Sequence, residues 1–105
     1  MEKKEKGKQI TYITLFDGYA VAVDNYSYAA ARKNGVNKKT GETIYRPFGF
    51  YNKMGSALLA IKKDYARRAI QSSEVLTLDD AISVIVRSNN RFESYLKQCF
   101  EGITT

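Results

Sequence analysis

The sequence predicts an α+β domain in which an antiparallel β-meander of three strands, or more, precedes two amphipathic α-helices. An Asp17-Gly18 pair lies between two runs rich in β-branched and aromatic residues, strand-like patterning continues to Tyr51, and apolar residues recur at helical spacing from Met54 onward. The chain has 105 residues, the usual size of a domain with a single core. We therefore expect sheet and helices to share that core, with the first helix packed on the sheet.

The predicted domain spans residues 9–101 and lies between two tails. Residues 1–8 mix acidic and basic side chains and contain nothing to bury, so we expect a flexible charged tail there. Residues 102–105 follow the expected end of the second helix near Phe100 and are predicted to form a C-terminal tail.

Residues 10–23 predict the first hairpin. An Asp-Gly pair between two strand-like runs is typical of a type I′ turn, because both central residues of that turn need positive φ. Beyond the turn, the aromatic and β-branched residues change from odd positions in residues 19–23 to even positions in residues 26–28. A strand cannot change its buried face without an inserted residue, so we expect a bulge or bend at Asp24-Asn25, with the strand continuing towards Arg32.

Residues 33–43 are predicted to form a mobile basic loop. They contain two glycines, two asparagines and three lysines, a composition typical of loops. Residues 44–51 are predicted to form the third strand. Pro47 cannot donate a hydrogen bond to a sheet ladder, so it should place this strand at the edge of the sheet or bend it.

The first helix is expected to begin after an N-cap at Asn52. Its apolar stripe consists of Met54, Leu58, Ile61, Tyr65 and Ala69, at the spacing of one helix face. Lys63 and Arg67 fall on the opposite face, where Asp64 can reach Arg67 and Arg68.

The second helix is expected to start at a capping-box-like sequence, Thr77-Leu78-Asp79-Asp80, where acidic residues complement the helix dipole. Its stripe comprises Leu78, Ile82, Ile85, Asn89, Phe92, Leu96 and Cys99. We predict a weak point or a break at Ser88-Asn89-Asn90, because these side chains compete for backbone hydrogen bonds. Cys99 is expected to fill the core.

The residue inventory disfavours catalysis. The chain has no histidine and one cysteine, and its seven glycines are scattered singly, so the histidine-based general-base and zinc-site chemistries and a phosphate-binding glycine loop are missing. We expect a non-enzymatic protein without a metal or cofactor. No apolar run approaches membrane-spanning length and no signal sequence is evident, which predicts a cytoplasmic protein with no membrane partner.

Positive charge is concentrated in the middle of the chain. The net charge is +6 overall, yet residues 30–53 carry six basic residues against Glu42, which gives +5, and residues 74–101 carry five acids against three bases, which gives −2.

Aromatic residues lie in the same basic segment, and aromatic rings flanked by cations are typical of surfaces that bind single strands, where bases stack on the rings and phosphates contact the cations. Alternatively, the rings form core and half-exposed sheet surface, and the helix cations are a solvated face. The candidate binding residues are Tyr26, Tyr28, Arg32, Lys33, Lys38, Lys39, Arg46, Lys53, Lys63, Arg67 and Arg68.

Three stretches together resemble a group of small, uncharacterised phage and prophage proteins of Gram-positive bacteria. These are residues 18–28 (GYAVAVDNYSY), Gly49-Phe50-Tyr51, and a helix that opens with Ala57-Leu58 and carries Arg67-Arg68. The resemblance covers about residues 12–85 and brings no catalytic residues with it. It implies a bacterial host cell and a mobile-element setting, in which small basic proteins serve replication and recombination or disarm host defences.

Three hypotheses follow. The first is binding of nucleic acid, single-stranded by preference, through the basic, aromatic-rich segment. The second is inhibition of a host defence complex, of the anti-CRISPR type, by binding a host nuclease or its guide RNA; the net charge of +6 argues against imitation of DNA. The third is a structural or assembly role in which the C-terminal helix forms a homodimer through Leu78, Ile82, Ile85 and Phe92.

Overall fold

The computed structural model describes residues 10–74 and 77–104, so the tail predicted at residues 1–8 lies outside the described residues. In chain order its elements are β1 (Thr11–Thr14), β2 (Tyr19–Val23), β3 (Tyr28–Val36), β4 (Thr43–Tyr51), α1 (Met54–Gln71) and α2 (Leu78–Thr104). The α+β prediction is confirmed, because an antiparallel meander precedes two helices and α1 packs on the sheet.

The sheet has four strands in the order β1-β2-β3-β4, each antiparallel to the next. The additional strand arises at Asp24-Asn25, where a reversal of the chain replaces the expected bend. The Asp24 N–H donates to the Ser27 carbonyl at 3.1 Å, and the Asp24 carboxylate accepts from the backbone N–H groups of Tyr26 and Ser27 at 2.8 and 2.7 Å. This Asx turn holds the chain in a tight reversal and so separates β2 from β3.

The type I′ turn at Asp17-Gly18 is confirmed. Asp17 has φ 58° and ψ 30°, Gly18 has φ 81°, and the Tyr19 N–H donates to the Phe16 carbonyl to close the turn. Aspartate and glycine are the residue types that accept this left-handed conformation at low cost.

The chain forms two compact units that divide between Ile61 and Lys62, within α1. The first unit contains the sheet and the first turns of α1. Its buried apolar side chains include Tyr19 and Val21 of β2 and Ala57 and Ile61 of α1, all 0% exposed. Residues Ala57 and Ile61 are four positions apart, so they present one helix face.

The second unit contains the rest of α1 and α2. Lys62 forms an ion pair with Glu93, and Arg91 donates to the Tyr65 hydroxyl at 3.4 Å, so these two helical segments run antiparallel to each other. Neither helix has the length and apolar character needed to cross a bilayer, as judged over the described residues.

The predicted start of α1 is displaced by one residue. The Lys53 carbonyl accepts from the Ser56 and Ala57 N–H groups, which is the role of the N-cap residue. Asn52 therefore precedes the cap. The stripe is also shifted, since Ala57, Asp64 and Ala66 are buried while Met54, Leu58 and Ala69 are only half-buried.

The predicted apolar face of α2 is wrong at its start and near its end. Leu78 is 75% and Ile82 49% exposed, and Cys99 is exposed rather than part of the core. Among residues 78–99 of α2, whose side chains the structure describes, the buried positions are Val84, Ser88 and Phe92, which repeat every fourth residue on an adjoining face of the helix.

Helix α2 has no break at Ser88-Asn89-Asn90, because it is continuous from Leu78 to Thr104, and it also passes the expected end near Phe100. Phe92, proposed to pair with a second copy, is 1% exposed. A homodimer contact through α2 would therefore have to omit Phe92.

Candidate nucleic-acid interface

The β3–β4 hairpin brings five of the candidate cations into one structural element. Arg32 lies directly opposite Arg46 in the antiparallel ladder, and Lys33 lies opposite Tyr45. Like charges directly opposite each other in a sheet are destabilising. The register thus places two cations side by side, an arrangement that suits an anionic ligand.

The loop at the tip of this hairpin is shorter than the sequence predicts, and hydrogen bonds hold it in a defined turn. Strand β3 extends to Val36, aided by an irregularity in the ladder at Gly35, which has φ 103°. The loop predicted over residues 33–43 is therefore confined to residues 37–42.

Asn37 organises the tip. Its N–H donates to the Glu42 carbonyl at 2.8 Å, and its side-chain oxygen accepts from the backbone N–H groups of Lys39 at 2.9 Å and Thr40 at 3.3 Å. These bonds hold Lys38 and Lys39 in a closed turn with both side chains exposed. The two ammonium groups are thereby presented at the end of a two-stranded arm.

We call Arg32, Lys33, Lys38, Lys39 and Arg46 the basic hairpin cluster. All but Arg32 are exposed, and none of these exposed four forms an ion pair with another residue of the described chain. Glu42 is the one acidic residue in β3, β4 or the tip between them. Exposed cations of one sign on a narrow arm create a positive potential that attracts polyanions.

Phe48 lies beside the arginine pair. The register shift between Ala30 and Ala31 makes Phe48 the extra residue of a β-bulge. Its ring meets the ring of Tyr19 edge-on, with centroids 6.4 Å apart, and the Arg32 guanidinium carbon lies 5.7 Å from the Phe48 centroid. This cation–π contact fixes one arginine of the pair on the sheet surface.

A second aromatic group covers the opposite face. Tyr12 of β1 and Tyr45 of β4 stack with centroids 5.1 Å apart and an angle of 26° between their planes, although two strands separate β1 from β4. The residues of β2 and β3 that share this face are alanines, at positions 20, 22, 29 and 31. Because alanine side chains are small, rings from both edge strands can meet above them.

The other candidates of the sheet unit lie at the opposite end of the hairpin. Tyr26 is 88% exposed in the β2–β3 turn, Tyr28 pairs with Tyr51, and Lys53 follows β4. Strand β3 has nine residues, so its two ends are about 26 Å apart. Tyr26 and Tyr28 are consequently remote from the lysines of the tip, whereas Tyr45 and Phe48 adjoin the cluster.

The three candidates on α1 belong to the second unit, and they differ in how available their charges are to an external anion. Lys63 is exposed, whereas Arg67 donates to the Asp64 carboxylate at 2.5 Å. Asp64 is only 4% exposed, so Arg67 neutralises a buried carboxylate and is less available than Lys63 to an external anion. Arg68 is half-buried and has interactions of its own.

Sequence reasoning missed Tyr12 as part of this surface, because Tyr12 lies outside the basic segment and reaches the hairpin only through the fold. The alternate alanines of β2 and the run of three alanines in β3 were the available sign that one face has room for large rings. No protein-family model, curated protein or solved structure matches the chain.

Proposed function

We propose that this protein binds nucleic acid without catalysis, with single strands preferred, and that the basic hairpin cluster is the principal contact. The observation that carries the proposal is the placement of Arg32 directly opposite Arg46. Like charges at opposed positions of a ladder are unfavourable for each other and suit an anion that contacts both, and Arg32 in addition contacts the Phe48 ring.

The chemistry of the cluster suits a polyphosphate backbone. Lys38 and Lys39 at the tip and Arg46 on the strand offer exposed cations along one arm, and each phosphate they neutralise releases a bound counterion. Phe48 on the arginine side of the sheet and Tyr45 on the opposite face are both nearer those cations than Tyr26 or Tyr28, and so are better placed to stack bases. Lys53 and Lys63 remain candidate secondary phosphate contacts, with Arg67 and Arg68 less available.

The test is fluorescence anisotropy with labelled single-stranded and double-stranded oligonucleotides over a series of salt concentrations. We expect tighter binding of the single strand and an affinity that falls steeply with salt. The double variant Lys38→Gln/Lys39→Gln should flatten the salt dependence, whereas Lys97→Gln, which removes an exposed cation of α2, should not. Absence of binding by the unaltered protein at micromolar concentration in low salt would refute the proposal.

A second candidate function is inhibition of a host nuclease. The hydrogen-bonded tip at Asn37 also suits binding in an acidic cleft of a host nuclease or to its guide RNA. The resemblance to phage proteins favours an anti-defence role of the anti-CRISPR type. Purification from host lysate with and without nuclease digestion separates the two functions. A stoichiometric nuclease retained after digestion would support inhibition, and recovery of nucleic acid alone would support general binding.

A structural or assembly role would use α2. Leu78 and Ile82 are exposed and available to a second copy, whereas Phe92 is buried. Light scattering of the unaltered protein and of Ile82→Lys tests this alternative: a dimer that the substitution dissociates would support it, and a monomer would exclude it.

A further inference from the structure

The helical unit contains an open cleft that is separate from the basic hairpin cluster. Its volume is about 480 Å³, and its walls include Tyr65, Val84, Arg87, Ser88, Asn90 and Arg91. Clefts of this size hold small organic ligands. The polar groups that line it are hydrogen-bond donors of three kinds: guanidinium, hydroxyl and side-chain amide.

Arg87 and Arg91 give the cleft a positive wall. They are four residues apart on α2 and so lie on one helix face. Arg91 donates to the Tyr65 hydroxyl at 3.4 Å, which orients its guanidinium, and Arg87 forms no ion pair with another described residue. No acidic side chain is among the described residues that line the cleft. By helical spacing the nearest acid on this face is Asp80, two turns before Arg87.

Ser88 provides an independent indication of a ligand. The residue is 7% exposed and lines the cleft, yet its hydroxyl makes no hydrogen bond with any described residue. A buried hydroxyl without a partner is destabilising. An acceptor oxygen of a ligand in the cleft would satisfy it, and both arginines line the same cleft.

We propose that this cleft binds a phosphate monoester carried by a small molecule of nucleotide size. Arg87 and Arg91 bind the phosphate oxygens, the Ser88 hydroxyl donates to one of them, and the Tyr65 ring with Val84 contacts the organic part. A guanidinium pair matches the geometry and charge of a phosphate dianion. The site does not depend on the proposed strand binding. The same chemistry is available from a free nucleotide or from the 5′-phosphate end of a strand.

The test uses the full chain and isothermal titration calorimetry with adenosine 5′-monophosphate, adenosine and inorganic phosphate. Two further ligands, an oligonucleotide with a 5′-phosphate and the same oligonucleotide without it, distinguish a free nucleotide from a strand end. Arg87→Gln removes one cation of the cleft, and Lys97→Gln is the matched control on the same helix, outside the cleft.

We expect adenosine 5′-monophosphate to bind more tightly than adenosine and to lose about tenfold or more in affinity on Arg87→Gln. Lys97→Gln and the hairpin variant Lys38→Gln/Lys39→Gln should retain the nucleotide affinity, so failure of one site can be told from failure of the other. Equal affinity for adenosine and its monophosphate would overturn the proposal. So would unchanged nucleotide binding by Arg87→Gln, or no binding of either phosphorylated ligand at ~1 mM.

Ser88→Ala keeps the test decisive if Arg87→Gln fails to fold. Removing an unsatisfied buried hydroxyl should leave the melting temperature unchanged or raise it, while nucleotide affinity falls several-fold. A purely structural serine would show the opposite pattern, with lower stability and unchanged nucleotide affinity.

Discussion

Arg32 of β3 and Arg46 of β4 lie directly opposite each other at the centre of a two-stranded basic arm. Because like charges directly opposite each other in a sheet are unfavourable, we expect this pair to lower the stability of the free protein and to suit a ligand with negative charge. Both consequences can be measured on the same variant.

Arg46→Gln should stabilise the free protein and weaken its binding to single strands. Relief of the cross-strand repulsion is expected to raise the free energy of unfolding by about 0.2–1 kcal/mol, measured by urea denaturation. Loss of one phosphate contact should make the slope of log affinity against log salt shallower by about 0.7. A less stable variant with an unchanged salt slope would contradict both expectations.

Tyr45→Leu should weaken strand binding without altering its salt dependence. Replacing the ring removes a stacking surface beside the cluster, with an expected loss of about 1–3 kcal/mol of binding free energy if a base stacks there. Tyr26→Ala is the matched comparison, because Tyr26 is exposed at the other end of the hairpin and should have little effect. If an anisotropy titration showed a larger loss of affinity for Tyr26→Ala than for Tyr45→Leu, the stacking surface would lie at the β2–β3 turn instead.

Gly18→Val should destabilise the protein by about 1 kcal/mol or more, and Gly18→Asn by much less. A Cβ at Gly18 would meet the Lys33 Cβ at 3.5 Å, an ordinary contact, so the cost comes from the positive φ of 81° rather than from crowding. Asparagine accepts that conformation and valine does not. Thermal unfolding of both variants checks this, and equal losses would point to crowding instead.

Asp24 should make the protein sensitive to acid. Hydrogen bonds from the Tyr26 and then the Ser27 backbone N–H groups lower the pKa of Asp24 below its ordinary value of 3.8. The folded state therefore binds this proton less readily than the unfolded chain, so the stabilisation from Asp24 is fully present above pH 3.8 and disappears as the pH falls through the lowered pKa. Asp24→Ala should melt earlier than the unaltered protein at neutral pH, and this difference should shrink in acid. A difference that does not change with pH would show that the ionised carboxylate is not responsible.

Phe92→Ala and Ile82→Ala should separate the buried face of α2 from the exposed one. Phe92 is fully buried, so its truncation should cost about 3–5 kcal/mol. Ile82 is exposed, and its truncation should change the free energy of unfolding by about 0.5 kcal/mol or less. Chemical denaturation of the two variants measures both values, and comparable losses would place Ile82 in an interface between copies of the chain.

Several features of the fold follow from the sequence because they depend on local chemistry. The turn at Asp17-Gly18 needs positive φ at two adjacent residues, which this pair supplies without help from the rest of the chain. Pro47 belongs to an edge strand because its missing N–H cannot complete a ladder on both sides. Periodic apolar residues likewise indicated two helices, since a spacing of three and four positions fits no strand.

The choice of buried face on α2 could not be predicted in the same way. Both the predicted stripe and the buried row at Val84, Ser88 and Phe92 satisfy helical spacing, and periodicity does not say which face meets another element. Packing selected a row that includes a serine and left Leu78 and Ile82 exposed.

By itself the sequence determined that a sheet and two helices would form and that positive charge would concentrate between residues 30 and 53. Only the tertiary structure decided which charges would be neighbours. It placed Arg32 opposite Arg46 through strand register, buried the Asp64 carboxylate that helical spacing had already put within reach of Arg67, and brought Arg87 and Arg91 of an acidic segment into one cleft with Tyr65. Net charge is a sum along the chain, whereas electrostatic energy depends on distances that exist only after the chain has folded.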